Sequence, residues 1–156
     1  MDEIDSLDRA ILDALQRDAS RSTQEIATAV GLSQNPCWRR IKRLEAAGFV
    51  QGRVALLDPD KLGVGITVFV SIRTNQHNDD WLERFASGVM EIPEVVELYR
   101  MSGEVDYLLK VLVSDIAEYD RIYKKLIEVA ELFDVSSSFA MERIKYTTAL
   151  PLGDSR

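Results

Sequence analysis

The chain has 156 residues, 46% of them hydrophobic and 29% charged, with 19 Lys and Arg against 26 Asp and Glu for a net charge of −7. This is ordinary globular composition for one large domain or two small ones, and it excludes a protein that coats nucleic acid over its whole surface. A single cysteine excludes an internal disulfide framework, no apolar run approaches the roughly 20 residues that span a bilayer, and the start from Met1 to Asp5 lacks the basic region of a secretory signal, so a cytoplasmic protein without a membrane partner is expected.

Asp5 or Ser6 can cap a first helix that carries Ile4, Leu7, Ile11 and Leu15 on one stripe and ends near Asp18. Ser22 with Glu25 three residues later is a capping box for a second, short helix with Ile26 and Val30 on one face, and Gly31 supplies the left-handed residue that ends it. Leu32 plugs the turn and Ser33 can cap a third helix, from about Gln34 to Ala47, that is ended by Gly48. Pro36 falls in its first turn, where the missing N–H is tolerated.

At 100° per residue, Cys37, Ile41 and Leu44 share the buried face of this third helix, and Cys37 reads as a small core residue. Asn35, Arg39 and Lys42 cluster on the opposite side, with Arg43 next to them. Between Ser33 and Arg53 five basic residues (Arg39, Arg40, Lys42, Arg43, Arg53) stand against one acid, Glu45, which reverses the sign of the chain locally. Arg and Lys neutralise phosphates, and Asn or Arg pair bidentately with base edges in a major groove wide enough for one helix. Two helices around a tight turn, the second basic on its outer face, point to DNA binding. The same face could also be a solvated face of an ordinary bundle.

Phe49-Val50, a Gln51-Gly52 turn and Val54 to Leu57 read as a small hairpin or wing. Residues 58–63, Asp-Pro-Asp-Lys-Leu-Gly, read as a linker, because Pro and Gly flank charges and the apolar period changes from 3.6 to 2 beyond it. The expected organisation is therefore α+β: a winged helix-turn-helix over residues 1–57, the linker 58–63, and a second domain over 64–156.

In that second domain Val64, Ile66, Val68, Val70 and Ile72 alternate as a strand. A helix beginning at Asp79 or Asp80 turns Leu82, Phe85 and Val89 inward and stops before Pro93. Strands from Val95 to Met101 and Asp106 to Val113 follow, joined by Ser102 to Val105. Asp115 with Glu118 then caps a helix carrying Ile116, Tyr119, Tyr123 and Ile127, and a last strand runs from about Val135 to Tyr146. The order βαββαβ predicts a ferredoxin-like sandwich: an antiparallel four-stranded sheet with helices on one face. Phe69, Tyr99, Met101 and Phe139 are placed on the other face, where self-association would cover them.

Catalytic chemistry is hard to assemble, and no catalytic residue, cofactor or metal is expected. His77, the only histidine, lies in a polar loop from Thr74 to Asp80, so one chain builds no histidine-based metal site or triad. Gly63-Val-Gly65 is too short for a dinucleotide fingerprint. Ser136, Ser137 and Ser138 lie at a strand with no adjacent base and serve as sheet or ligand contacts. In the turn from Ser102 to Asp106, glycine lets backbone N–H groups face a carboxylate and Asp106 can receive an ammonium group, which would suit a zwitterion; a plain tight connection has the same composition.

The segments IDSLDRAILDALQRDA, VGLSQNPCWRRIKRLEAAGFV, ALLDPDKLG, SGEVDYLLKV and FAMERIKYTTALPL together resemble the leucine-responsive regulator/AsnC (feast/famine) family of transcription factors, over about Ile4 to Leu152. NPCWRRIKRLE, ALLDPDKLG and SSFAMERIKYTTALPL look most similar to its cysteine-responsive branch, which makes L-cysteine the candidate effector. The resemblance implies a helix-turn-helix joined to a regulatory domain, dimers paired partly through the sheets and assembling to tetramers or octamers, and a small amino-acid effector between neighbouring subunits. Positions matching the family's response region are Tyr99, Arg100, Met101, Gly103, Asp106, Ser138, Phe139 and Ala140. Arg100 puts a charge where relatives often carry an apolar residue, so the side-chain preference does not transfer.

On this basis a dimer presents two third helices to double-stranded DNA at a pseudo-palindromic site. Asn35, Arg39 and Lys42 lie nearest the bases, with Ser33, Gln34 and Trp38 in the same interface, while Arg40, Arg43 and Arg53 mainly hold phosphates. The effector shifts assembly or DNA binding. Two alternatives are a tetrapyrrole (siroheme-type) decarboxylase of similar architecture and an oligomeric scaffold that binds no DNA.

Overall fold

Short polar caps decide where the first helices begin. In the computed structural model, which describes residues 4–76 and 78–153, α1 (Ser6–Arg17) starts at Asp5, whose carboxylate accepts the Asp8 N–H while the Asp8 carboxylate accepts the Asp5 N–H. α2 (Thr23–Ala29) repeats the device with Ser22 and Glu25. Each box satisfies N–H groups that a helix start leaves unpaired, an effect worth about 1 kcal/mol. Gly31 follows with φ +73°, a left-handed turn that only glycine enters without strain, and it aims the chain into α3 (Gln34–Ala46). Ser33 stands at the N-cap of α3 with an extended backbone, but its hydroxyl makes no capping bond.

The three helices close over Ile11, Leu15, Ile26, Ala27, Cys37, Ile41 and Leu44, with Ile4, Leu12, Val30, Leu32 and Val50 packed around them. Cys37 is fully buried, and burial pushes its thiol up. The stripe of α1 differs from the expected one at a single position: Leu7 is only half-buried, and Asp8 occupies the interior beside Ile11 and Leu15.

The expected wing is not formed. No strand lies between residues 47 and 65 among the described residues, and Val54, Leu56 and Leu57 are exposed. A lone two-stranded hairpin is marginal in water, so alternation alone does not make one here.

The second compact unit spans Leu57–Arg143, while the stretch after it, Ile144 onward, joins the helical unit. The expected second domain runs on to residue 156, whereas the stretch from Ile144 groups with the helices. Arg9 and Gln16 of α1 explain the difference: Arg9 donates to the Leu152 carbonyl at 2.9 Å, and Gln16 exchanges two hydrogen bonds with the Leu150 backbone at 2.8 and 3.0 Å.

In the second unit, β1 (Ile66–Arg73), α4 (Asp79–Met90), β2 (Val95–Arg100), β3 (Tyr107–Val113), α5 (Ile116–Val129) and β4 (Asp134–Phe139) follow in chain order, and the antiparallel sheet has the order β2-β3-β1-β4. This is the ferredoxin-like arrangement. Val68, Val70 and Ile72 of β1, with Tyr107, Leu109, Val111 and Val113 of β3, point to the helix side and bury against Trp81, Phe85 and Val89 of α4 and Tyr119, Ile122 and Leu126 of α5. Trp81 stacks on Phe85 with centroids 4.9 Å apart, and its indole N–H donates to the Glu131 carbonyl at 3.0 Å, so the ring is buried without an orphan donor.

Three expectations change in detail. The inward face of α5 is Tyr119, Ile122 and Leu126, while Ile116 and Ile127 are exposed. β4 ends at Phe139 rather than Tyr146, one further pairing bond running from Ala140 N to the Thr67 carbonyl. Phe139 pairs with Val68 and meets the Tyr119 ring edge-on at 5.2 Å, so it lies on the helix side and not on the open face with Phe69 and Tyr99. The loop reading of His77 lies outside the described residues.

Candidate nucleic-acid interface and effector cleft

Burying Cys37, Ile41 and Leu44 leaves Gln34, Asn35, Trp38, Arg39, Lys42 and Arg43 on the exposed side of α3, as the 3.6-residue period requires. Trp38 keeps 51% of its surface exposed, next to the basic residues. The five basic residues are not equivalent. Arg39 forms no ion pair or hydrogen bond among the described residues, whereas Lys42 and Arg53 both reach the Glu45 carboxylate at 2.8 Å. The Lys42 hydrogen bond, aided by the Arg53 charge, holds Glu45 below the usual carboxylate range.

Arg40 and Arg43 turn back toward α1. Arg40 Nη1 donates to Asp8 Oδ1 at 2.8 Å and to Asp5 Oδ2 at 2.7 Å, and Arg43 donates to Asp8 Oδ2. Asp8 is only 1% exposed, so the carboxylate is carried into the interior by two guanidiniums. Arg40 thus spends one terminal nitrogen on the acids of α1 in the free protein, so only the rest of its guanidinium faces outward. Sequence reasoning missed Asp8, although the signal is present. Positions 4, 8, 11 and 15 form one helical stripe, and an acid within it demands a cationic partner.

In the sheet unit the turn after β2 closes with Met101 N donating to the Asp106 carbonyl at 2.8 Å, and Gly103 adopts φ +120°. A side chain at that φ would be strained, so glycine is required by backbone conformation alone, since open space surrounds the position. Asp106 N donates to the Ile72 carbonyl at 3.0 Å, and Asp106 Oδ2 accepts the Thr74 N–H at 2.8 Å. These bonds tie the turn to the end of β1 and shape a cleft of about 330 Å³ lined by Arg73, Thr74, Asn75, Gly103, Glu104, Asp106 and Phe133. The Arg73 guanidinium sits 5.6 Å from the centre of the Phe133 ring. One cation, two carboxylates and an aromatic wall are therefore gathered in one place. Periodicity gives no hint of Arg73, Asn75 or Phe133, because the end of β1 and the loop before β4 meet only through strand pairing, with Arg73 opposite Asp134.

Of the eight expected effector residues, this cleft gathers Gly103 and Asp106. Tyr99 and Arg100 lie on β2, with Met101 just beyond, and Ser138 and Phe139 on β4, with Ala140 just beyond. β2 and β4 are the two edges of the sheet, so one chain does not bring these groups together. Tyr99 and Ser138 do share the open face, where the Tyr99 hydroxyl donates to Glu97 at 2.8 Å and Glu97 accepts Lys110 at 2.9 Å.

Residues 4–45 match the model of the AsnC-type helix-turn-helix domain, and residues 67–150 match that of the Lrp/AsnC ligand binding domain. The chain belongs to the Lrp/AsnC family. A curated member of the family, the DNA-binding transcriptional activator DecR of Escherichia coli, is 52% identical over 150 residues, covering 96% of this chain and 99% of that protein. The crystal structure of an AsnC family transcriptional regulator from Agrobacterium tumefaciens superposes with a TM-score of 0.92 at 58% identity, covering 96% and 97% of the two chains. A transcriptional regulator from Neisseria meningitidis, solved as an L-Met complex, does so with a TM-score of 0.91 at 35% identity and the same coverage. This Lrp/AsnC member is a DNA-binding transcriptional regulator, and the match over nearly its whole length disfavours the tetrapyrrole decarboxylase and scaffold alternatives. None of its described helices is long and apolar enough to cross a membrane.

Proposed function

We propose that α3 reads the major groove through Asn35, Arg39 and Lys42, with Ser33, Gln34 and Trp38 completing the interface and Arg40, Arg43 and Arg53 meeting phosphates. The observation that carries this reading is Arg39: it lies mid-helix on the outward face, exposed, and no described residue competes for its guanidinium. Arg39→Ala is expected to weaken binding to the chain's own promoter site by about 1–3 kcal/mol and to relax one base preference. Equal losses on specific and random duplexes, measured by gel shift at fixed salt, would remove the base-reading role.

The sheet domain is the sensor in this reading, and it takes an amino acid without a cofactor or a catalytic step. In the 330 Å³ cleft Arg73 receives the α-carboxylate, while Glu104 and Asp106 receive the ammonium group. L-Cysteine is the first candidate because the motifs NPCWRRIKRLE and SSFAMERIKYTTALPL are similar to the cysteine-responsive branch; L-Met in the Neisseria relative supports an amino acid as the class. A second copy brings Tyr99 of one sheet edge toward groups such as Phe139 and Ala140 of another, so effector binding and assembly into dimers, tetramers or octamers are linked. Two copies then face a pseudo-palindromic site. Thermal unfolding in the presence of each of the twenty amino acids tests this, because a ligand of the folded form raises its stability. A shift with cysteine is expected, and no shift with any of the twenty would overturn the effector assignment.

A further inference from the structure

Asp5 and Asp8 both contact Arg40, but they are placed for different tasks. Asp8 is sealed, and both of its oxygens are occupied by guanidiniums. Asp5 is 52% exposed and divides its oxygens: Oδ1 accepts the Asp8 N–H and caps α1, while Oδ2 takes Arg40. Cap and ion pair are thus separable at the level of single atoms. Arg40 gives one terminal nitrogen to both acids, and its other terminal nitrogen makes no hydrogen bond among the described residues. Asp5, Pro36, Arg39, Arg40 and Arg43 line an open cleft of about 420 Å³ on the outward side of α3. A carboxylate oxygen charge-paired to a guanidinium at the edge of such a cleft sits where a phosphate oxygen would sit, because both anions meet the same planar fork.

We propose that Asp5 is an internal stand-in for a DNA phosphate, which occupies Arg40 in the free protein and withholds that contact from DNA. Asp8 keeps Arg40 in place whichever anion faces it, so exchange of Asp5 for a phosphate needs no movement of α3. The effect is greatest on random DNA, where phosphate contacts supply nearly all the affinity.

Asp5→Asn isolates the ion pair, since Asn caps helices as well as Asp does. Binding to a random-sequence duplex is expected to tighten by about threefold or more, and the dependence of log affinity on log salt to steepen by about one, the signature of one more phosphate contact. In an Arg40→Gln background, where Asp8 still holds Arg43, the same change should tighten binding less and leave the salt slope unaltered. An unchanged slope in Asp5→Asn, or the same gain with and without Arg40, would overturn the proposal. The inference rests on α3 facing DNA. Arg39→Ala measured on the promoter site tests that separately, because Arg39 is not bonded to Asp5: if its loss leaves binding to that site intact the interface reading fails, and if only the Asp5 result fails, the stand-in fails alone.

Discussion

A carboxylate sealed between helices persists only with cationic partners, and the partners of Asp8 are themselves partly wet. Their unequal exposure orders the consequences of substitution. Asp8→Ala removes the buried charge and leaves Arg40 and Arg43 free to turn to water, so a loss of about 1–3 kcal/mol is expected. Replacing Arg40 and Arg43 together by Ala strands the charge in the interior, and about 3–5 kcal/mol is expected. Urea unfolding of the two variants checks the order, and a smaller loss in the double variant would contradict it. At this scale legibility depends on whether a residue's environment is local. The outward placement of Asn35, Arg39 and Lys42 follows from helical spacing alone, whereas the side of the sheet taken by Phe139 depends on its pairing with Val68, and a shift of one residue in register reverses it. Arg73 and Phe133 were illegible for the same reason: their meeting is a product of pairing, not of spacing.

The starts of α1 and α2 could be read to within a residue because their caps are local in sequence. Asp5 and Ser22 begin α1 and α2 because each cap satisfies backbone donors that nothing distant competes for. α5 was harder, since Ile116, Tyr119, Ile122, Tyr123, Leu126 and Ile127 spread over roughly 140° of its circumference, wider than one buried stripe, and periodicity alone admits several centres for the inward face. The strand side chains of β1 and β3 select among them. The caps also set a pH dependence. The Ser22 hydroxyl and then its N–H hold Glu25 below its ordinary value, and the Asp8 N–H followed by Arg40 does the same for Asp5. Groups with depressed values in the folded state stabilise it above their unfolded values, and that contribution is lost as pH falls through the folded ones. The thermal midpoint of the helical unit is therefore expected to drop as pH falls below about 4, and Glu25→Gln should flatten the dependence. Circular dichroism melts across that range measure it, and an equal slope in the variant would refute the role of the cap.

Across the whole molecule, charge and connectivity decide behaviour that no single element does. A net charge of −7, with four of the 19 basic residues on α3, gives a single copy few phosphate contacts, so binding should depend on pairing of copies and its salt dependence should steepen with that pairing. The chain also enters the helical unit twice, at its start and again from Ile144. This return was invisible to periodicity, because Arg9 and Gln16 bond to the backbone of Leu150 and Leu152 rather than to a recognisable side-chain pattern. Deleting residues from Leu150 onward should lower the stability of the helical unit by about 1–2 kcal/mol, read as faster amide exchange in α1, with the sheet domain unaffected. Uniform acceleration in both units, or none, would contradict a local clasp. The clasp also imposes an order of birth on the protein. Gln16 leaves the ribosome 134 residues ahead of the backbone it bonds, so the DNA-contacting unit, although made first, is fully fastened only after the entire sensor has been synthesised.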